Sequence, residues 1–191
     1  MVNLKKSDDI TIGDVEELAM ILYKDIGTAI SKLVTASDNY GFYSRSYVRA
    51  YASWIEGKIW LYKEVMRRIE GKWHTDLPTA SQLYLFEYDW YVDSSGTARL
   101  KQKRLGAKEN LKGFFVLMSQ LFSDYDVDFG GEGWQSVMSF YMTRDKIMHP
   151  SGDTNLDIDK QEVLSFDKGR VWLDGEFEKI NKLISDRLKI H

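Results

Sequence analysis

From Asp14 to Ala36 the apolar residues Val15, Leu18, Leu22, Ile26, Ile30 and Leu33 recur every three or four positions. A second stripe, through Tyr47, Tyr51, Trp54, Ile55, Tyr62, Val65, Met66 and Ile69, occupies about Tyr43 to Ile69. This spacing predicts two amphipathic helices, each long enough to cross a small domain, that pack as neighbours. Asp14 is placed to cap the first, Asn39–Gly41 to stop it, and Gly71 to end the second.

The remaining chain is predicted to build outward from this pair. A short helix follows Asp76–Pro78 and runs through Leu85. The β-prone residues Tyr88, Trp90 and Val92 then alternate ahead of a Ser94–Ser95–Gly96 turn, predicting a small β-hairpin inserted at about residues 86–104. Its return strand carries Arg99, Lys101, Lys103 and Arg104, a basic edge that discourages strand pairing. Helices are expected again at about Lys108–Phe122 and Glu132–Met148, the latter closed by His149–Pro150 because proline disfavours helical geometry in the residue before it. Beyond the polar loop after Pro150, Asp167–Lys168–Gly169 reads as a possible small hairpin, and Asp174 as the cap of a last helix. The expected fold class is all-α: an antiparallel helical bundle of four to five main helices with an inserted β-hairpin, forming one domain over residues 1–191.

Composition narrows the chemistry. With 43% apolar and 14% aromatic residues, the 191-residue chain can bury a real core. It has no cysteine, so disulfides, thiol nucleophiles and thiolate metal sites are excluded. Three histidines leave little for a multi-histidine metal site, and the net charge of -3 argues against a broad nucleic-acid-coating surface. There is no apolar region typical of a secretory signal and no stretch of about 18 uncharged apolar residues, so no membrane association and a cytoplasmic location are expected. Asp124, Asp126 and Asp128 begin like a calcium loop, but Phe129 and Gln135 stand where glycine and glutamate are required. Asp153, Asn155 and Asp157 fail in the same way. Gly130, Gly131 and Gly133 precede a helix without completing a phosphate-binding fingerprint. Neither a metal nor another cofactor is called for.

One heptapeptide remains: Arg144-Asp145-Lys146-Ile147-Met148-His149-Pro150, at the end of a predicted helix. Spacing alone does not single it out, since Arg67 and Arg68 also precede His74. Its setting does: a helix, an acidic residue after the arginine, and a proline after the histidine. His74 and His191 read as ordinary loop and tail residues.

This heptapeptide resembles the R-x4-6-H motif of the HEPN superfamily, helical domains of prokaryotic toxins, defence effectors and RNA-processing enzymes. Asp145 matches the polar residue that commonly follows the arginine there. The layout is also similar, with two long helices, an embellishment, and the motif late in the bundle. The position two beyond the histidine is Ser151 rather than the tyrosine through which some toxins of the family are silenced. The resemblance implies a metal-independent endoribonuclease, with RNA as substrate and its 2′-hydroxyl as nucleophile. It further implies a composite homodimer site and a possible antitoxin or defence-system protein partner. In that reading Arg144 holds the phosphate, His149 moves the proton and Asp145 orients them, while Arg45 and Arg49 are candidates for RNA backbone contacts. The chemistry suits these residue types: histidine titrates near physiological pH, and arginine offers a permanent bidentate charge. In an ideal helix Arg144 and His149 lie about 140° apart, so convergence needs unwinding at His149 or a second copy of the motif. The alternative is a non-catalytic HEPN-like module for dimerisation or partner binding.

Overall fold

The computed structural model describes residues 12–36, 38–68, 77–152 and 155–189. His74, His191, Asp153 and the Gly71 stop lie outside the described residues. Six helices and one hairpin follow in order: α1 (Ile12–Thr35), α2 (Tyr40–Arg68), α3 (Thr79–Phe86), β1 (Tyr88–Val92), β2 (Ala98–Gln102), α4 (Ala107–Leu121), α5 (Glu132–Met148) and α6 (Lys160–Lys189). The protein is mostly helical, as the apolar periodicity predicts. No helix among the described residues is long and apolar enough to cross a membrane.

The helices α1 and α2 form an antiparallel pair. Leu22 packs on Gly57 and the Tyr23 ring faces Trp54 at 6.4 Å, contacts nearly equidistant from the connection between the helices. That connection turns at Asn39, in the left-handed region at φ 67°, whose carbonyl accepts the amides of Phe42 and Tyr43. Helix α2 therefore begins at Tyr40, with Gly41 inside it, and Asp14 lies within the first turns of α1 rather than at its cap.

Burial along α2 is wider than one stripe. Tyr47, Val48, Tyr51, Trp54, Ile55, Ile59 and Tyr62 are all buried, which makes it the central helix. Phe177 of α6 gathers the aromatic core, packing edge-on to Trp54 at 5.5 Å and stacking on Tyr62 at 5.6 Å. Phe114 of α4 stacks on the same Tyr62 at 5.3 Å. Each such side chain taken fully out of water contributes roughly 1.5–3 kcal/mol.

The last helix differs from the sequence expectation. No hairpin forms at Asp167–Lys168–Gly169, and Asp174 caps nothing: α6 runs unbroken for 30 residues. Its cap is Asp159, whose carboxylate accepts the amides of Gln161 (2.7 Å) and Glu162 (2.8 Å) while Glu162 returns to the Asp159 amide at 3.0 Å. Arg170 bridges Asp167 and Asp174, each at 2.9 Å, a pattern that only helical spacing permits. Gly169 is a packing residue rather than a turn residue. A Cβ there would stand 3.1 Å from the Val137 amide nitrogen, because α5 and α6 approach closely as an antiparallel pair. Gly133 serves the same seam, its missing side chain leaving room for the Trp172 ring.

The hairpin forms where expected, with Trp90 opposite Leu100 and Tyr91 opposite Arg99. Gly96, at φ 78°, supplies the positive φ of its turn. It is joined to the bundle through Lys63 of α2, 1% exposed, which donates to Glu87 at 3.2 Å and to Asn110 at 2.8 Å.

Candidate functional site

Helix α5 is anchored by Trp134, Val137, Phe140, Tyr141 and Ile147, all buried. This anchoring turns Arg144 toward α2 and leaves it 17% exposed at the bundle surface. Its Nη2 donates to Glu56 Oε1 at 2.8 Å and its Nη1 to Asp145 Oδ1 at 3.2 Å. Asp145 also pairs with Lys108 at the start of α4, at 3.2 Å. Glu56, Arg144, Asp145 and Lys108 thus form one alternating chain of charges across α2, α5 and α4.

Two buried polar atoms in this region have no partner among the described residues: Arg144 Nε and the Tyr141 hydroxyl. Burial, reinforced by the negative charge of Glu56, holds the Tyr141 hydroxyl far above its ordinary pKa, so it remains a neutral donor. Buried groups of this kind are rarely left unpaired without a reason.

His149 stands apart from that cluster. It is exposed, and its backbone amide still donates to the Asp145 carbonyl at 2.9 Å, so the helical ladder persists to the motif's end. Only its own φ and ψ, -131° and 61°, leave the helix. No hydrogen bond joins its imidazole to Arg144 or Asp145 among the described residues. The structure therefore brings Arg144 and Asp145 together and leaves His149 outside.

Arg45, Arg49 and Glu56 share one stripe of α2, because separations of seven and eleven residues return to about the same helix angle. Arg45 reaches the Leu156 carbonyl at 3.5 Å, whereas Arg49 is exposed. Glu56 and Lys108 are the members that sequence reasoning missed. Glu56 shares the stripe of Arg45 and Arg49, yet nothing local tells that Arg144, 88 positions away, docks against it.

The acidic connection before α5 is occupied with its own backbone. Asp126 accepts the Val127 amide at 2.9 Å and Asp128 the Gly130 amide at 2.8 Å. Among the described residues no group of three or more His, Asp or Glu side chains could hold a metal ion. No family model, no curated protein and no solved structure matches this chain.

Proposed function

We propose that the chain is a HEPN-like, metal-independent endoribonuclease whose site is completed across a homodimer. The observation that carries this reading is Arg144 itself. It is a largely buried guanidinium fixed by Glu56 and Asp145, on the same helix end as an exposed histidine. Since α5 stays helical through Met148, Arg144 and His149 of one chain diverge by about 140°. Two helix ends facing each other around a two-fold axis would pair the arginine of each protomer with the partner's histidine.

In this mechanism Arg144 grips the scissile phosphate and stabilises the charge that builds on it. A phosphate oxygen replaces the Glu56 carboxylate at Nη2, while Asp145 keeps the guanidinium plane oriented. His149 removes the proton of the 2′-hydroxyl. The 2′-oxygen bonds to phosphorus, the bond to the 5′-oxygen breaks, and the proton passes to that oxygen, leaving a 2′,3′-cyclic phosphate. Arg45 and Arg49 extend the positive stripe along α2 for the RNA backbone. A toxin or antiviral role, with an antitoxin or defence-system partner, would suit an enzyme of this kind.

The test is cleavage of single-stranded and structured RNAs in EDTA. Arg144→Ala and His149→Ala are each expected to lose on the order of a thousandfold. An equal mixture of the two variants should recover about a quarter of wild-type activity, since half of the dimers form between variants and hold one intact composite site of two. Equal cleavage by all three proteins, or none by folded wild type, removes the reading. A second reading, a non-catalytic module for dimerisation or partner binding, is favoured by one observation: both ends of the Arg144 fork are already paired with carboxylates.

A further inference from the structure

A cavity lies away from Arg144. It opens between α1, α2 and α6 with a volume of about 450 Å³, a size suited to a small molecule. Trp54 and Lys58, which line it from α2, project about 160° and 200° around that helix from Glu56. Tyr23 of α1 and Phe177 of α6 add aromatic surface on either side.

Its polar groups are unevenly matched. The Lys58 ammonium is half-buried beside aromatic rings, 5.7 Å from the Phe177 centroid and 5.9 Å from that of Tyr62. No carboxylate among the described residues lies within ion-pairing distance of it. Burial pushes its pKa down, and Asp174 opposes that only through space. The Asp174 carboxylate is bound instead by Arg170 at 2.9 Å. The Asn181 carbonyl oxygen accepts the Tyr62 hydroxyl at 2.6 Å, which leaves the exposed amide's NH2 without an acceptor among the described residues. The buried Trp54 Nε1–H also has no acceptor among the described residues. Two donors, the Lys58 ammonium and the Asn181 amide, therefore line one cavity with no acceptor assigned to them among the described residues, while the Trp54 N–H lies buried behind the cavity wall.

We propose that this cavity binds a small organic monocarboxylate with a flat apolar body. The carboxylate sits against Lys58 and the Asn181 amide, and the apolar body lies among Tyr23, Trp54 and Phe177. Asp174 and Glu178, which also line the cavity, offset Lys58 and the exposed Lys24 at its α1 edge, leaving no excess positive charge to hold a phosphate dianion or a polyanion. The site is independent of the proposed RNA chemistry, and its test needs no cleavage.

Phenylacetate is the probe, with benzylamine as the cationic counterpart of similar body. Both are titrated into the full chain labelled with 15N, following the indole N–H of Trp54, which is assigned by its loss in Trp54→Phe. Phenylacetate is expected to move that signal in a saturable way and benzylamine to leave it in place. Lys58→Met should weaken phenylacetate by about tenfold or more, Lys58→Arg should retain most of the affinity, and Asp174→Asn should tighten it several-fold. The assignment is overturned by unchanged phenylacetate affinity in Lys58→Met, by preferential binding of benzylamine, or by the absence of any shift. Weaker phenylacetate binding in Asp174→Asn overturns it as well, and is readable even should Lys58→Met fail to fold.

Discussion

Replacing Gly175 by alanine is expected to stabilise the protein, while the same change at Gly169 or Gly133 is expected to destabilise it. Gly175 lies inside α6, and a Cβ there would meet nothing within 4 Å. Only the backbone preference changes, and a helix-interior glycine gives away roughly 0.5–1 kcal/mol relative to alanine. For a chain of this length that raises Tm by about 1–4 °C. At Gly169 the same gain is opposed by the backbone of α5, with the Val137 nitrogen at 3.1 Å and the Ser136 carbonyl carbon at 3.2 Å from the added Cβ. Backbone atoms cannot turn aside, so α5 and α6 must separate slightly. Overpacking of this kind costs about 1–3 kcal/mol, leaving a net loss of about 1 kcal/mol. At Gly133 the Cβ would fall on the Trp172 ring and expel it from its contacts with Phe115 at 5.8 Å and Trp134 at 6.2 Å. Losing two aromatic pairs and the burial of one tryptophan amounts to about 3 kcal/mol. Urea titrations followed by far-UV circular dichroism give all three values on one scale. A destabilising Gly175→Ala, or a Gly169→Ala that stabilises as much as Gly175→Ala, would refute an unbroken α6 pressed on α5.

Three further outcomes follow from particular contacts. Lys63→Met leaves Glu87 with only the more distant Arg67 at 4.0 Å and Asn110 Oδ1 with only the Tyr84 hydroxyl, and removes the ammonium 3.9 Å from the Tyr84 ring centroid. A loss of about 3 kcal/mol is expected in urea denaturation, mostly restored by adding Glu87→Gln, and a loss below about 1 kcal/mol contradicts the buried pairing. Asp159→Ala removes the α6 cap at a cost of about 1 kcal/mol and speeds hydrogen exchange of the Gln161 and Glu162 amides; unchanged exchange would argue against the cap. In the hairpin turn, the Ser95 hydroxyl, the Thr97 amide and Arg99 hold the Asp93 carboxyl down to a pKa of about 2. Because the folded value is depressed, the contribution is present above the ordinary carboxyl range and disappears as pH falls through about 2. The Thr97 amide resonance should still report an intact turn near pH 3, and a transition at the ordinary value of about 3.9 would contradict it.

The helices that were legible in advance are those whose evidence is local. The stripes of α1, α2, α4 and α5 repeat every three or four residues, and the Tyr88–Trp90–Val92 alternation with Gly96 specifies a hairpin without reference to the rest of the chain. Asn39 and Asp159 act on amides within a few residues of themselves, and Arg144 and Asp145 are neighbours in sequence. Local signals also misled, at Asp14 and Gly41, which lie inside helices, and most of all in α6. Asp167–Lys168–Gly169 has the residue types of a turn, and Asp174 those of a cap. Gly169 is there because the α5 backbone passes 3.1 Å from where its Cβ would be, and both aspartates serve Arg170 along a continuous helix. The partners of Arg144 depend on docking too, since Glu56 and Lys108 arrive on two other helices. The cavity beside Lys58 exists only where three helices fail to close on one another. Residue spacing governs hydrogen bonds and faces along one element. Which faces meet, and which charges they bring together, is decided by how side-chain volumes fit when the helices dock, and that fit has no short-range signature in the chain.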